Sequence, residues 1–345
     1  MAEIINSKKP IHGESPSKPP KESLFSGHDK GRKEKEFREE EPQWSLDEMV
    51  LRPSIRETLD EVANYCLHKD TLIEEWDLNK FLKGNSSVGI NFYGEPGTGK
   101  STCAEAITKK LGKKYIKVDY GDIRDSEWGA TEKNLSDLFK FAEKTGYPII
   151  FDEADALLGK RSSGGSNSNS ENQVKSHLLT LIDRSNVIIF YTTNFFENFD
   201  KAFFRRILYH INIPMPNKEE LVALWKLHLG DKSNTTGDVS LDKIKKDSQN
   251  FSYERIAEAC VGTLAGGDVK NITVKLCVKL AAKSISAIST DDVLIEIEKY
   301  KQSLAASKDS KFVSERPLSK DEVKELKDSG QISQHEYEEF IKGAK

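Results

Sequence analysis

The chain has 345 residues, of which 31% are charged, and its formal net charge at pH 7 is -4. This balance argues against a nucleic-acid-binding or membrane-binding surface, and no apolar run approaches the roughly 20 residues that a membrane-spanning helix needs. The first residues, MAEIINSKKP, lack the apolar core of a secretory signal, so we expect a cytoplasmic protein.

The first 43 residues are rich in Lys, Glu, Ser and Pro, and their few apolar side chains cannot offset the entropy lost on ordering. We therefore predict a flexible tail over 1–43. From Trp44 onward, β-rich runs alternate with helical patterns, and the predicted strands are 88–93, 114–118, 148–152, 187–192 and 209–213. This alternation predicts an α/β fold, with a parallel sheet that carries helices on both faces.

The sequence GEPGTGKS, residues 94–101, lies between the first predicted strand and a helical run over 101–111. We call it the phosphate loop. Its glycines lack side chains, so their backbone N–H groups can surround an anion, and one lysine and one serine follow them. The pattern assigns Lys100 to the β- and γ-phosphates of a nucleotide and Ser101 to Mg²⁺. An ordinary glycine turn is the alternative. The predicted nucleotide-binding residues here are Gly94, Glu95, Pro96, Gly97, Thr98, Gly99, Lys100, Ser101 and Thr102.

The four cysteines, Cys66, Cys103, Cys260 and Cys277, have no metal-ligand spacing, so we expect free, buried thiols. Cys103 follows the phosphate loop near a helix N-terminus, where a lowered pKa would instead make it a regulatory thiol.

A second apolar strand ends in acidic residues, in the sequence IIFDEAD over 149–155. Beside the phosphate loop, Asp152 would hold the Mg²⁺ shell and Glu153 would orient or deprotonate an attacking water. A solvated acidic strand end is the alternative. A third strand ends at Asn194, whose amide could bond the γ-phosphate or the water without adding charge, unless it only forms a turn.

Two arginines, Arg205 and Arg206, interrupt the apolar stretch FDKAFFRRILYHINIPMP. They could stabilise the charge on a transferring phosphoryl group in a neighbouring subunit. Alternatively, they only complement the dipole at a helix end.

These motifs together resemble the AAA ATPases: GEPGTGKS is similar to their Walker A motif, IIFDEADALLGKR to Walker B, and TTN with FDKAFFRR to the second region of homology. The resemblance covers roughly residues 44–300. It implies a ring, usually a hexamer, with ATP and Mg²⁺ bound at each subunit boundary by a large α/β domain over 44–216 and a helical lid over 217–304. It also makes Asn194 a γ-phosphate sensor and Arg205 and Arg206 arginine fingers, although their adjacency leaves open which one is the finger.

The resemblance also suggests where a protein substrate would be gripped. Trp128 and Gly129 resemble the end of the pore loop that lines the central channel, although Glu127 replaces the usual aromatic residue and Trp128 could instead pack in the core. The Gly/Ser/Asn-rich run over 159–173 is expected to be a loop without packing, either a second pore loop or an inert insertion. Lys270 is a candidate nucleotide sensor in the lid, unless it is an ordinary exposed lysine.

After a predicted linker over 305–318, capping-box spacings predict two short helices within 319–345. This segment is similar to a C-terminal helical hairpin found on many bacterial proteins, which would serve as an oligomerisation element.

The predicted function is ATP hydrolysis in a homo-oligomeric ring that remodels, unfolds or disassembles a protein target. The resemblance extends to compact, stand-alone bacterial members, some of which accompany a separate subtilisin-like protease in plasmid or antiphage-defence modules. Two alternatives remain at this point. One is an ATP-gated assembly switch, and the other is a DNA-handling loader, which the charge balance disfavours.

Overall fold

The fold rests on one mixed sheet and a bundle of helices that follows it along the chain. The computed structural model describes residues 37–76, 87–119, 130–159, 168–194, 196, 199–230, 246, 251–282, 284 and 287–309. Trp128, Gly129 and the predicted hairpin over 319–345 lie outside these residues, and so does most of the predicted tail.

The sheet has six strands in the order β1-β3-β4-β5-β2-β6. The strands are β1 (Glu39–Glu40), β2 (Val88–Tyr93), β3 (Tyr115–Asp119), β4 (Ile149–Asp152), β5 (Ile188–Thr193) and β6 (Ile207–Asn212). Strands β2 to β6 are parallel, which confirms the predicted fold class, with strand ends that differ from the predicted ones by at most two residues. Strand β1 pairs antiparallel with β3, so the prediction of a flexible tail to residue 43 was wrong for this segment.

Helices cover both faces of the sheet. They are α1 (Pro53–Leu67), α2 (Lys69–Glu74), α3 (Lys100–Lys110), α4 (Ala130–Thr145), α5 (Asp155–Leu158), α6 (Ser168–Arg184) and α7 (Lys201–Phe204), with a 3-10 turn at Leu46–Glu48. Alternate residues of β4 serve the two faces: Ile149 and Phe151 pack with α4 and α6, whereas Ile150 packs with α1 and α3. Such near-continuous apolar strands are typical of a parallel sheet buried on both sides.

The structure describes only the two ends of the polar run over 159–173. Helix α6 begins at Ser168, so the prediction was wrong for 168–173, where the chain is already helical. Glu171 lies in the first turn of α6, where a negative charge complements the helix dipole. Residues 160–167 lie outside the described part of the chain.

Among the residues that the structure describes after β6, four further helices form a bundle, which we call the helical bundle. They are α8 (Lys218–Leu229), α9 (Tyr253–Cys260), α10 (Gly266–Ala281) and α11 (Thr290–Asp309). The bundle has a core of its own, centred on the fully buried Trp225. Helix α11 continues to Asp309, so the predicted linker does not begin at 305. None of the helices in the described ranges is long and apolar enough to cross a membrane.

Two contacts join the helical bundle to the sheet layer. Arg52, just before α1, forms a two-pronged ion pair with Glu220 of α8, with N-to-O distances of 2.9 and 3.1 Å. At the N-terminus of α10, the backbone N–H of Gly267 donates to the carbonyl oxygen of Gly97 at 3.0 Å. The bundle therefore touches the phosphate loop directly.

Candidate active site

The phosphate loop connects β2 to α3 and adopts a backbone that only glycine tolerates. Gly94 has φ 142°, and a Cβ there would lie 2.3 Å from the carbonyl oxygen of Ile213. Gly97 has φ 75°, and a Cβ there would meet Ala265 of the helical bundle at 3.4 Å. A side chain is therefore excluded at Gly94 by both conformation and space and is disfavoured at Gly97 by conformation, which leaves backbone N–H groups as the available surface.

Lys100 is the first residue of α3 and curls back over the loop. Its Nζ donates to the carbonyl oxygens of Gly94 and Glu95 at 2.9 and 2.8 Å. Burial lowers the pKa of this ammonium, although the nearby carboxylates of Asp152, Asp155 and Glu95 oppose that effect. A partly desolvated ammonium at this position is suited to binding phosphate oxygens.

The Asp152 carboxylate, at the end of β4, is held by three donors. Its Oδ1 accepts from the hydroxyls of Ser101 at 2.7 Å and Thr192 at 2.5 Å, and its Oδ2 lies 2.9 Å from Lys117 Nζ. Burial alone would raise the pKa of Asp152, but the hydrogen bonds from Thr192, Ser101 and Lys117 lower it overall. The carboxylate is therefore ionised and fixed beside the Ser101 hydroxyl.

Glu153 follows Asp152 and has φ 50°, in the left-handed region that non-glycine residues rarely adopt. The Thr192 side chain accepts a hydrogen bond from the Glu153 N–H at 3.1 Å, and the Thr192 carbonyl accepts from the Ala154 N–H at 2.8 Å. Strand β5 thus maintains the strained turn, which leaves the Glu153 side chain exposed at the mouth of the site.

Asn194 lies just beyond β5 and is positioned through Asp155 of α5. The Asn194 backbone N–H donates to Asp155 Oδ2 at 3.3 Å, and the Thr193 hydroxyl donates to Asp155 Oδ1. One carboxylate thus anchors the end of the strand that carries the predicted sensor.

These groups surround one cavity of about 200 Å³ at the carboxyl ends of β2, β4 and β5. It is lined by Pro96, Gly97, Lys100, Ser101, Asp152, Glu153, Thr192, Thr193 and Asn194. The other predicted loop residues, Gly94, Glu95, Thr98, Gly99 and Thr102, belong to the same loop and helix start but are not among its lining residues. Ligands of parallel α/β sheets bind at this end of the strands.

The donor set fits Mg²⁺ bound together with a nucleotide. Within the described ranges, no group of three or more His, Cys, Asp or Glu could hold a metal. Mg²⁺ is usually held by one or two protein oxygens together with substrate phosphates and water, and Ser101 and Asp152 supply those two. The Ser101 hydroxyl donates its proton to Asp152, so its lone pairs are available to a cation.

The adjacent arginines have different environments. Arg206 is held by Asp183 of α6 through two ion-pair contacts of 2.7 and 2.8 Å and also donates to the Ala202 carbonyl at 3.0 Å. The hydrogen bond to Asp183 raises the pKa of Arg206. Arg205 is exposed, and among the described residues its guanidinium makes no hydrogen bond or ion pair.

Sequence reasoning missed four residues of the site. Thr192 and Thr193 end β5 just before Asn194, and Asp155 follows the acidic pair, so their positions could have suggested a supporting role. Lys117 gave no such signal, because it resembles any exposed lysine on a half-buried strand. Lys270 is exposed on α10 and does not line the cavity.

The prediction of buried, unpaired thiols holds for Cys66, Cys103 and Cys260, whereas Cys277 is only partly buried. The alternative of a regulatory thiol at Cys103 is wrong. This side chain is fully buried, and burial raises its pKa to about 12 rather than lowering it.

Comparison with known proteins agrees with this geometry. Residues 90–215 match the family model described as "ATPase family associated with various cellular activities (AAA)". The chain therefore contains a segment that matches the AAA family of ATPases. The matched segment begins within β2 and ends beyond β6, so it contains the phosphate loop, the acidic pair, Asn194 and both arginines.

Proteins similar to this chain have diverse names. It is 31% identical to the ATP-dependent zinc metalloprotease FtsH of aster yellows witches'-broom phytoplasma, over 57% of this chain and 31% of the relative. It is 29% identical to the outer mitochondrial transmembrane helix translocase of Danio rerio, over 74% of this chain and 71% of the relative. Against the Cdc48 homologue of Archaeoglobus fulgidus, identity is 31% over 50% of this chain and 24% of the relative. The chain therefore spans about a third or less of the first and third relatives.

Proposed function

We propose that the cavity binds ATP with Mg²⁺ and hydrolyses the terminal phosphoanhydride. The observation that carries the proposal is the convergence of Lys100, Ser101, Asp152, Glu153 and Asn194 on one cavity at the carboxyl end of the sheet. A metal ion bound there would neutralise charge on the phosphates and on the leaving group. The remaining groups that contact the nucleotide and the attacking water are side chains and backbone atoms of the protein.

In this proposal the phosphate loop and Lys100 bind the phosphates, and Ser101 and Asp152 hold Mg²⁺. Glu153 orients a water and accepts the proton of that water. The strained backbone of Glu153 directs the residue toward the cavity mouth. Asn194 donates a neutral hydrogen bond to the γ-phosphate or to the same water.

We further propose that Arg205 acts on the nucleotide of a neighbouring copy. Asp183 already neutralises Arg206, and extracting that guanidinium would break three hydrogen bonds. Arg205 is exposed beside Phe204, whose side chain is 46% exposed. An unpaired cation next to an exposed aromatic ring is suited to an interface with a second subunit. This supports a homo-oligomer, and the family resemblance suggests a hexamer.

The work driven by hydrolysis is proposed to be remodelling of a protein target. One relative is named for translocating a transmembrane helix, and another is named an ATP-dependent metalloprotease. Both names denote action on polypeptide. In this proposal Trp128 and Gly129 would grip that polypeptide.

Mixing two inactive variants tests the shared active site. Glu153→Gln removes the base but keeps the finger, whereas Arg205→Ala removes the finger but keeps the base. We expect each variant alone to lose at least about 100-fold in ATP turnover while still binding ATP. An equimolar mixture should recover a substantial part of the wild-type rate. Absence of recovery, or full turnover by an isolated monomer, would refute catalysis across a subunit boundary.

Trapping with Glu153→Gln separates a remodelling machine from an assembly switch. Held in ATP, this variant should retain the target protein, and the biological function should be lost. Lys100→Ala is the control, because it should bind neither nucleotide nor target. Full function of Glu153→Gln would instead favour the switch. A subtilisin-like protease captured with the target would identify the proposed separate protease partner.

A further inference from the structure

Lys117 lies next to the metal-binding carboxylate without belonging to any recognised motif. It is on β3, which pairs directly with β4, and its Nζ is 2.9 Å from Asp152 Oδ2. The Lys117 side chain is 38% exposed and that of Asp152 is 18% exposed. Asp152 lines the cavity whereas Lys117 does not, and both side chains are partly shielded from water.

The ion pair mainly places a positive charge beside the Asp152 carboxylate and contributes little to the orientation of that carboxylate. Ser101 and Thr192 already hold Asp152 Oδ1, so two hydroxyls fix the carboxylate from one side. Among the three hydrogen-bond partners of Asp152 in the described residues, Lys117 is the only charged donor. Two further carboxylates interact with the Lys117 charge, those of Asp119 on its own strand and Glu40 of β1.

We propose that Lys117 is a positioning residue that supplies a fixed positive charge to the Asp152 carboxylate and so makes nucleotide binding less dependent on Mg²⁺. The proposal rests on the ATP and Mg²⁺ binding proposed above. A cation beside Asp152 repels an incoming dication and attracts polyphosphate, and in a partly shielded site both effects persist over several ångströms.

The two effects act differently on one measurable quantity, the ratio of the nucleotide Kd without metal to the Kd with metal. Attraction of the polyphosphate lowers both Kd values and therefore cancels in the ratio. Repulsion of the Mg²⁺ that binds together with the nucleotide raises only the Kd with metal. The positive charge of Lys117 therefore lowers this ratio.

An ordinary structural ion pair would leave the ratio unchanged. Half-exposed ion pairs on a sheet contribute little to stability, and removing one has no reason to alter metal dependence. The chain offers a matched case in Lys114, which lies just before β3 and pairs with Glu41 at 3.2 Å, away from the cavity.

The test measures the affinity of the full chain for a fluorescent ATP analogue, mant-ATP, in Mg²⁺ and in EDTA. Lys117→Met removes the charge and the donor, Lys117→Gln removes only the charge, and Lys117→Arg keeps both. We expect the ratio to rise about tenfold in the Met and Gln variants. It should stay within twofold of wild type in Lys117→Arg and in Lys114→Met.

A second readout uses no nucleotide turnover. Binding of Mn²⁺ in the presence of ADP, followed by electron paramagnetic resonance, should tighten severalfold in Lys117→Met and Lys117→Gln. An unchanged or smaller ratio in both neutral variants would overturn the role of Lys117 while wild-type binding still upheld the nucleotide site. Failure of the wild-type chain to bind mant-ATP under either condition would instead refute the proposed function itself.

Discussion

Polar side chains occur at the carboxyl end of the sheet and also in its middle, but their surroundings differ. At the end, Asp152 accepts three hydrogen bonds and Asp155 accepts from both Thr193 and Asn194. In the middle of their length, the neighbouring strands β5, β2 and β6 carry a row of polar residues in register. Each member of that row has a buried polar atom with no hydrogen-bond partner in the described structure. The row consists of Asn91, Tyr191 and His210.

The difference separates polar groups that serve chemistry from those that cost stability. A network in which every member is bonded holds charges in a fixed arrangement, which is what catalysis of phosphoryl transfer needs. A buried polar atom without a partner costs free energy instead. The two regions therefore predict opposite outcomes when their polar side chains are removed.

Removing Asp155 should have the largest effect, and the effect should fall on turnover. Asp155→Ala removes the carboxylate that accepts hydrogen bonds from the Thr193 hydroxyl and the Asn194 N–H, so the sensor loses this support for its position relative to the phosphates. We expect kcat to fall about 100-fold, while the Kd for ATP changes less than about threefold because Lys100 and the phosphate loop are intact. Steady-state kinetics measure kcat, and titration with mant-ATP measures the Kd.

Two further variants control this experiment. Asp155→Asn retains an acceptor for the Asn194 N–H and should recover part of the lost turnover. Asp137→Ala, which removes a partly exposed carboxylate of α4, should have no effect. If Asp155→Ala weakened ATP binding as much as turnover, a general collapse of the cavity would replace the positioning role.

Strand content and the phosphate-binding motif were predictable because each is encoded locally. An apolar run of five or six residues indicates a buried strand, and a loop whose backbone must lack side chains contains several glycines. The parallel order of the strands then brings Lys100, Asp152 and Asn194 together at one end of the sheet. Their convergence follows from topology alone.

Features that depend on three-dimensional neighbours could not be predicted. Nothing in the dipeptide Arg205–Arg206 shows that the second arginine faces Asp183, 23 residues earlier. The short edge strand at Glu39–Glu40 has the charged composition of a tail, and only its pairing with β3 orders it. Lys117 likewise gains its role from the strand beside it.

Replacing Asn91 should stabilise the fold, in contrast to the loss of turnover expected when Asp155 is replaced. Its side chain is fully buried, and neither amide atom has a hydrogen-bond partner in the described structure. Asn91→Val places an apolar, β-branched side chain in the same strand. We expect the free energy of unfolding to rise by about 1–2 kcal/mol, measured by urea denaturation. Asn91→Ala is the control, since it removes the polar group but leaves a cavity and should gain less.

The smallest effect concerns acid sensitivity at His210, whose ring stacks on Phe204 with a centroid distance of 4.2 Å. Burial lowers the pKa of His210, although its hydrogen bond to the Phe204 carbonyl opposes the shift. The unfolded chain therefore binds a proton more readily, and this residue costs stability as the pH falls below the ordinary histidine pKa of about 6.5.

His210→Phe keeps a ring for the stack with Phe204 but cannot titrate. Between pH 7 and 5 we expect its Tm to fall less steeply than that of the wild type, while some slope remains because burial also lowers the pKa of His228. His228→Phe, in the helical bundle, serves as the matched variant, and the two changes should reduce the slope additively because one residue lies on β6 and the other on α8. An unchanged slope in His210→Phe would mean that the middle of the sheet accommodates the imidazolium, and the contrast with the bonded end of the sheet would then not extend to His210.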